Sequence, residues 1–215
     1  MNKPTTVKAL EVLGRIKLST HFYMRDFLYS EISQIEGIPN IPDYPDRAIE
    51  AGRQLCEQLL EPLQDRFGRL VIRSAYRAPA VNAKGAENNN QYSCASNEKN
   101  YASHIWDYPD ADGYLGATVC IVVPALLPWY DQEGDWTPLA WWIHDNLSYT
   151  SQFWFPKLAA FNLGWSGNPN TLPSIGTYVI NPHTGDKTAL VKGGVAMLNL
   201  DQRKRIVDPW LASLG

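Results

Sequence analysis

Cysteine is scarce in this 215-residue chain: Cys56, Cys94 and Cys120 are an odd number with no close CxxC pair. That excludes a disulfide framework and the usual paired-cysteine zinc knuckle. Long apolar runs are missing too. No stretch approaches the roughly 18 residues needed to cross a bilayer, and the N-terminus lacks a secretory apolar segment, so the expected location is cytoplasmic with no membrane span. Basic excess is absent: the formal charge is -3 and the pI near 5.8. The one basic cluster, Arg203 to Arg205, is flanked by Asp201 and Asp208 and reads as a solvated helix face, so nucleic acid is not an expected partner. There is no internal repeat.

What is present is apolar and aromatic. Hydrophobic residues make up 45% of the chain, with eight Trp and eleven Tyr, enough for one folded domain with an aromatic-lined cleft and a loop-rich periphery. Leu18 to Phe27 reads as a short helical turn capped by Ser19 or Thr20. Pro45 to Gly68 reads as a helix, with Ala48, Leu55, Leu59, Leu60, Leu63 and Phe67 at helical spacing, Cys56 in its core and Pro62 kinking or dividing it. Leu70 to Tyr76 reads as a strand ended by Arg77 to Pro79. Residues 83 to 102 form a polar loop that carries an exposed Cys94. The β-branched run Gly116 to Val123 is the clearest buried strand. A helix follows with Thr137 as cap and Pro138 in first position, then a strand at Gln152 to Phe155, a tight turn at 162 to 167, a hairpin at 181 to 186 and a closing helix at 201 to 211.

Among the four histidines, His21 reads as a packing or capping residue, His144 as structural on its helix and His183 as an exposed hairpin residue. His104 differs. It precedes the acidic loop HIWDYPDAD and the strand carrying Cys120, and neutral imidazole and thiolate are both good zinc ligands.

The order of LSTHF (18–22), NIP (40–42), EPLQDRFG (61–68), VIRSAYRAPAVN (71–82), Ser103-His104, GATVCI (116–121), WWIHDNL (141–147) and Gly164-Trp165 resembles the D-alanyl-D-alanine metallopeptidases of the hedgehog-type zinc peptidase fold. The resemblance implies an α+β single domain, a small mainly antiparallel sheet with flanking helices. It divides the chain into an N-terminal extension (1–17), a peptidase-like core (18–167) and a C-terminal extension packed on that core (168–215). It implies that Arg77 binds substrate, a role suited to a guanidinium fork and a peptide carboxylate or carbonyl, with Ser74 in support and Trp106, Trp142, Trp154 and Trp165 as cleft walls.

The same resemblance implies a zinc site with departures. His104 matches the family's first histidine. Cys120 stands where the family has an aspartate ligand, and Ser166 where it has a second histidine. Residues 152 to 156 hold no carboxylate where the water-activating glutamate belongs. Ordinary zinc-water hydrolysis needs three ligands, an open position and a carboxylate base. The expectation is therefore a peptidase-like protein with an amino-acid or peptide cleft and a changed or lost zinc site. Three alternatives stand beside it: an active zinc peptidase acting on a cell-wall-type peptide through a rebuilt His104/Cys120 site completed by Asp107, Asp110 or Asp112; a thiol enzyme with Cys120 as nucleophile beside His104; and a non-catalytic interaction domain, suggested by the tryptophans and the Pro-rich loops.

Overall fold

The computed structural model describes residues 1–87, 91–180, 185 and 187–215. Its centre is one seven-stranded sheet in the order β1-β2-β4-β3-β5-β6-β7. The strands are β1 (Val71–Ser74), β2 (Gly116–Val122), β3 (Ser151–Phe155), β4 (Ala160–Ser166), β5 (Ser174–Ile180), β6 (Lys187–Lys192) and β7 (Val195–Ala196). Only the β3–β5 pairing is parallel. The architecture is α+β.

Helices α1 (Val7–Gly14), α2 (Glu31–Glu36), α3 (Pro45–Leu55) and α4 (Glu61–Phe67) precede the sheet, and α5 (Pro79–Ala86) and α6 (Asn97–Asn100) lie between β1 and β2. Helices α7 (Leu127–Glu133) and α8 (Thr137–Asn146) lead into β3, and α9 (Leu200–Ser213) closes the chain. Pro62 does not divide the 45–68 helix. It has no N–H to offer the carbonyl four residues back, and the chain passes the gap through a π-type turn at Cys56–Leu60 that joins α3 to α4.

Side-chain parity gives the sheet two unlike faces. Val119, Ile121, Phe161, Leu163, Trp154 and Ile175 are all buried on one of them, and α3 packs against β2 and β4. Trp154 stacks between Trp136 and Phe161 at centroid distances of 4.8 and 4.1 Å. The other face carries Cys120, Asn162 and Phe153 in one transverse row, because Cys120 pairs with Asn162 and Asn162 with Phe153.

Several sequence expectations are corrected. Residues 162–166 are not part of a tight turn but most of β4, a strand flanked on both sides. Gly164 hid it: a Cβ there would stand 2.2 Å from Ser151 Oγ, so close strand approach rather than a turn requires the glycine. The early turn is a 3-10 segment at Met24–Phe27 capped through Asp26, whose carboxylate accepts from the Tyr23 N–H at 2.8 Å. Ser19 instead donates to Glu61. The 83–102 loop contains the end of α5 and all of α6. Cys94 is buried, not exposed. Trp136 rather than Thr137 is the cap of α8, and Pro138 is its second residue. The hairpin residues 181 to 186, His183 among them, lie outside the described residues apart from Gly185; β5 and β6 on either side pair antiparallel.

Candidate functional site

On the open face, β1, β2 and β4 meet the loop before β2 around a cleft of about 340 Å³, within the range of small-molecule sites. Arg77, Ser74, His104 and Cys120 all line it, from segments far apart in sequence.

Arg77 is held from several directions. Its N–H donates to the His104 carbonyl at 2.8 Å. On either side, Asn40 of the NIP segment clamps the backbone: its Nδ2 donates to the Tyr76 carbonyl at 2.9 Å and its Oδ1 accepts from the Ala78 N–H at 2.7 Å. The guanidinium Nη1 donates to Cys94 Sγ at 2.6 Å. Its Nε is buried and has no hydrogen-bond partner among the described residues. Burial pulls the Arg77 pKa down, opposed by Cys94, but a guanidinium remains charged in a protein.

His104 is fixed by the loop that carries it. The Thr118 N–H of β2 donates to the Ser103 carbonyl at 2.9 Å, and Trp106 Nε1 donates to the Thr118 carbonyl at 3.2 Å. Gly116 allows this close approach, since a Cβ would stand 2.2 Å from the Ala102 carbonyl oxygen. His104 Nδ1 lies 2.9 Å from the Ala75 carbonyl. A carbonyl only accepts, so Nδ1 carries the proton and Nε2 is left with its lone pair. Burial, reinforced by Arg77, pushes the imidazole pKa down to about 3. At neutral pH it is an uncharged acceptor.

A β-bulge sets the opposite wall. Ile72 pairs with Ile121 and Ser74 with Cys120, so Arg73 is one residue extra, and Arg73 and Ser74 both reach the cleft. Burial pushes the Cys120 thiol up to about 11 despite the proximity of Arg73, with the Glu31 charge acting in the same direction as burial. Glu31, in the first turn of α2, Asn162 of β4, and Tyr92 and Ser93 of the segment before α6 complete the polar lining.

The remaining sequence candidates lie elsewhere. Ser166 pairs with Gly116, four residues along β4 from Asn162, or about 13 Å at strand rise. Asn162, not Ser166, is the residue opposite Cys120. Trp165 pairs with Ala117 and so projects from the other face of β4 than Asn162. Trp106 and Trp154 are core residues, and Trp142 packs edge-on to Phe67 at 4.7 Å; none of these four tryptophans lines the cleft. Asp107 is buried, accepting from the Asp43 and Tyr44 N–H groups at 2.8 and 3.1 Å and from Tyr76 Oη at 3.1 Å. Asp110 and Asp112 both accept from Asn168 Nδ2, at 3.0 and 2.9 Å, tying the acidic loop to the segment after β4.

The cleft does not fit zinc as the family resemblance implies it. None of the three aspartates joins His104 and Cys120, and Asn162, opposite Cys120, offers only a neutral amide. Among the described residues, one group of three His, Cys, Asp or Glu side chains is gathered closely enough to hold a metal ion: His21, Glu61 and Asp65, outside this cleft. There His21 Nδ1 is 2.6 Å from Glu61 Oε2.

Glu31, Arg73 and Asn162 escaped sequence reasoning. Arg73 lies within the segment 71–82 and Asn162 within the segment 162–167, but only the bulge and the β2–β4 register bring them to the cleft. Comparison with protein-family models, curated proteins and solved structures finds no match for this chain.

Proposed function

We propose that the chain is a divergent relative of the D-alanyl-D-alanine metallopeptidases of the hedgehog-type fold, one that keeps a cleft for the carboxylate of an amino acid or short peptide without the zinc-water machinery. The observation that carries this reading is the guanidinium of Arg77 on the wall of the cleft, the residue being held in place through its backbone N–H, its Nη1 and the flanking Asn40 clamp. A guanidinium makes short, charge-assisted and often bidentate hydrogen bonds to a carboxylate, roughly twice as strong as those between neutral groups.

The neighbours suit an anionic group. Arg73 adds a second cation, and His104, held neutral, adds no charge but offers an acceptor to a ligand N–H. Glu31 supplies the one carboxylate in the lining, placed to receive an amino group or peptide N–H. Cys120 and Asn162 add only neutral groups, and the chain's own residues bind and orient a ligand here.

The test is calorimetric titration with N-acetyl-glycyl-glycine and its C-terminal amide. Binding of the free acid alone, insensitive to EDTA and lost in Arg77→Met, is the expected result. Stoichiometric zinc bound through His104, with peptidase turnover abolished by His104→Ala, overturns the reading.

A further inference from the structure

The open face of the sheet does not end at the cleft. Across β4 from Cys120 and Asn162 it turns from polar to aromatic. Phe153 pairs with Asn162 and is 39% exposed, and Phe155, two residues on along the same face, lines the cleft itself together with the exposed Leu158. The Phe153 and Phe155 rings meet edge-on at 5.4 Å, and the exposed Tyr178 of β5 approaches Phe155 at 6.4 Å. Gly176, opposite Phe153, leaves the face open beyond it.

Resting on the carboxylate reading above, we propose that Phe153, Phe155, Leu158 and Tyr178 form an apolar notch for a bulky side chain of a peptide whose C-terminal carboxylate sits on Arg73 and Arg77.

Charge and shape both select this occupant. The cations stand at one end of the row and the aromatic rings at the other, matching a ligand with an anionic terminus and an apolar residue upstream. The rings are not coplanar, with 71° between Phe153 and Phe155 and 37° between Phe155 and Tyr178. They present ring edges and an uneven apolar surface to a side chain laid against them, not the flat platform on which a sugar ring stacks. Spacing sets the peptide length. From Ser74 to Phe153 the row crosses three strand intervals of about 4.8 Å, roughly 14 Å, which an extended chain spans in about four residues. The bulky residue therefore lies about three positions before the carboxylate.

Titration of the intact protein with N-acetyl-Phe-Gly-Gly-Gly and N-acetyl-tetraglycine, both as free acids, tests this. The phenylalanyl peptide is expected to bind about tenfold more tightly. Phe153→Ser and Tyr178→Ser, substitutions at exposed positions that leave the core untouched, are expected to bring the ratio to within about twofold. Equal affinities in the wild-type protein, with both lost in Arg77→Met, overturn the notch and leave the carboxylate cleft standing. Absence of binding by either peptide overturns both. A concentration-dependent dimer in sedimentation that Phe153→Ser dissociates also overturns the notch, by assigning the patch to a second copy of the chain.

Discussion

His104 keeps its proton on Nδ1 because the Ala75 carbonyl accepts it, and its charge at zero because the ring is buried beside a guanidinium. An unfolded histidine titrates near 6.5, whereas in the fold it does so near 3. Between those values the unfolded chain binds one more proton than the native one, so this residue's contribution to stability falls as pH is lowered through that window, by up to about 1.4 kcal/mol per pH unit. Urea unfolding at pH 6 and pH 5 is expected to show a loss in wild type larger by about that amount than in His104→Asn. Equal losses mean that the folded imidazole is charged. Cys120 obeys the same physics with the opposite proton count. With its thiol near 11, alkylation by iodoacetamide at pH 7.5, followed by peptide mass spectrometry, is expected to run about a hundredfold slower than for an unperturbed cysteine. A rate equal to or above that of free cysteine restores the thiol-nucleophile reading.

At the level of elements, the cleft depends on how the 101–115 loop docks on β2. The Ser103 carbonyl, the Trp106 indole and the Ala102 turn all press against the first three residues of the strand. Gly116→Ala places a methyl group where the Ala102 carbonyl oxygen stands, and backbone on both sides leaves little room to relax. The expected cost is about 1–3 kcal/mol in urea unfolding, accompanied by weaker carboxylate binding, because the loop that shifts also carries His104. Full affinity at full stability in that variant refutes the coupling. The bulge at Arg73 is the second such device: one extra residue in β1 brings two side chains, Arg73 and Ser74, to the same opening.

At the level of the whole molecule, the residues after 167 are built into the fold. β5 pairs with β3 and extends the sheet by three strands. Trp210 of α9 packs on Phe67 at 5.0 Å, and Arg203 pairs with Asp145 of α8 at 2.7 Å. A fragment of residues 1–167 would expose Phe67, Trp154 and the free edge of β3, so it is expected to lose its cooperative urea transition and near-UV circular dichroism. A fragment that keeps both shows that the 18–167 core folds independently. Among the described residues no helix is long and apolar enough to cross a membrane.

Periodicity and punctuation determined much of this protein by themselves. The buried run 116–122, the apolar stripe of the 45–68 helix and the closing helix, read at 201–211 and found at Leu200–Ser213, were all legible, because each is specified by residues within a few positions of one another. Arg77, Ser74, His104 and Cys120, read from separate motifs, line one cleft, while Trp165 and Ser166, read with them, do not. What only the tertiary structure decided is everything that depends on register: that β4 is a strand, that Asn162 rather than Ser166 faces Cys120, that Glu31 enters the cleft from a distant helix, and that Asp107, Asp110 and Asp112 bind backbone and Asn168 instead of a metal. A one-residue change in strand pairing moves every side chain to the other face, and that pairing is set by contacts between segments scores of residues apart, which no local pattern records.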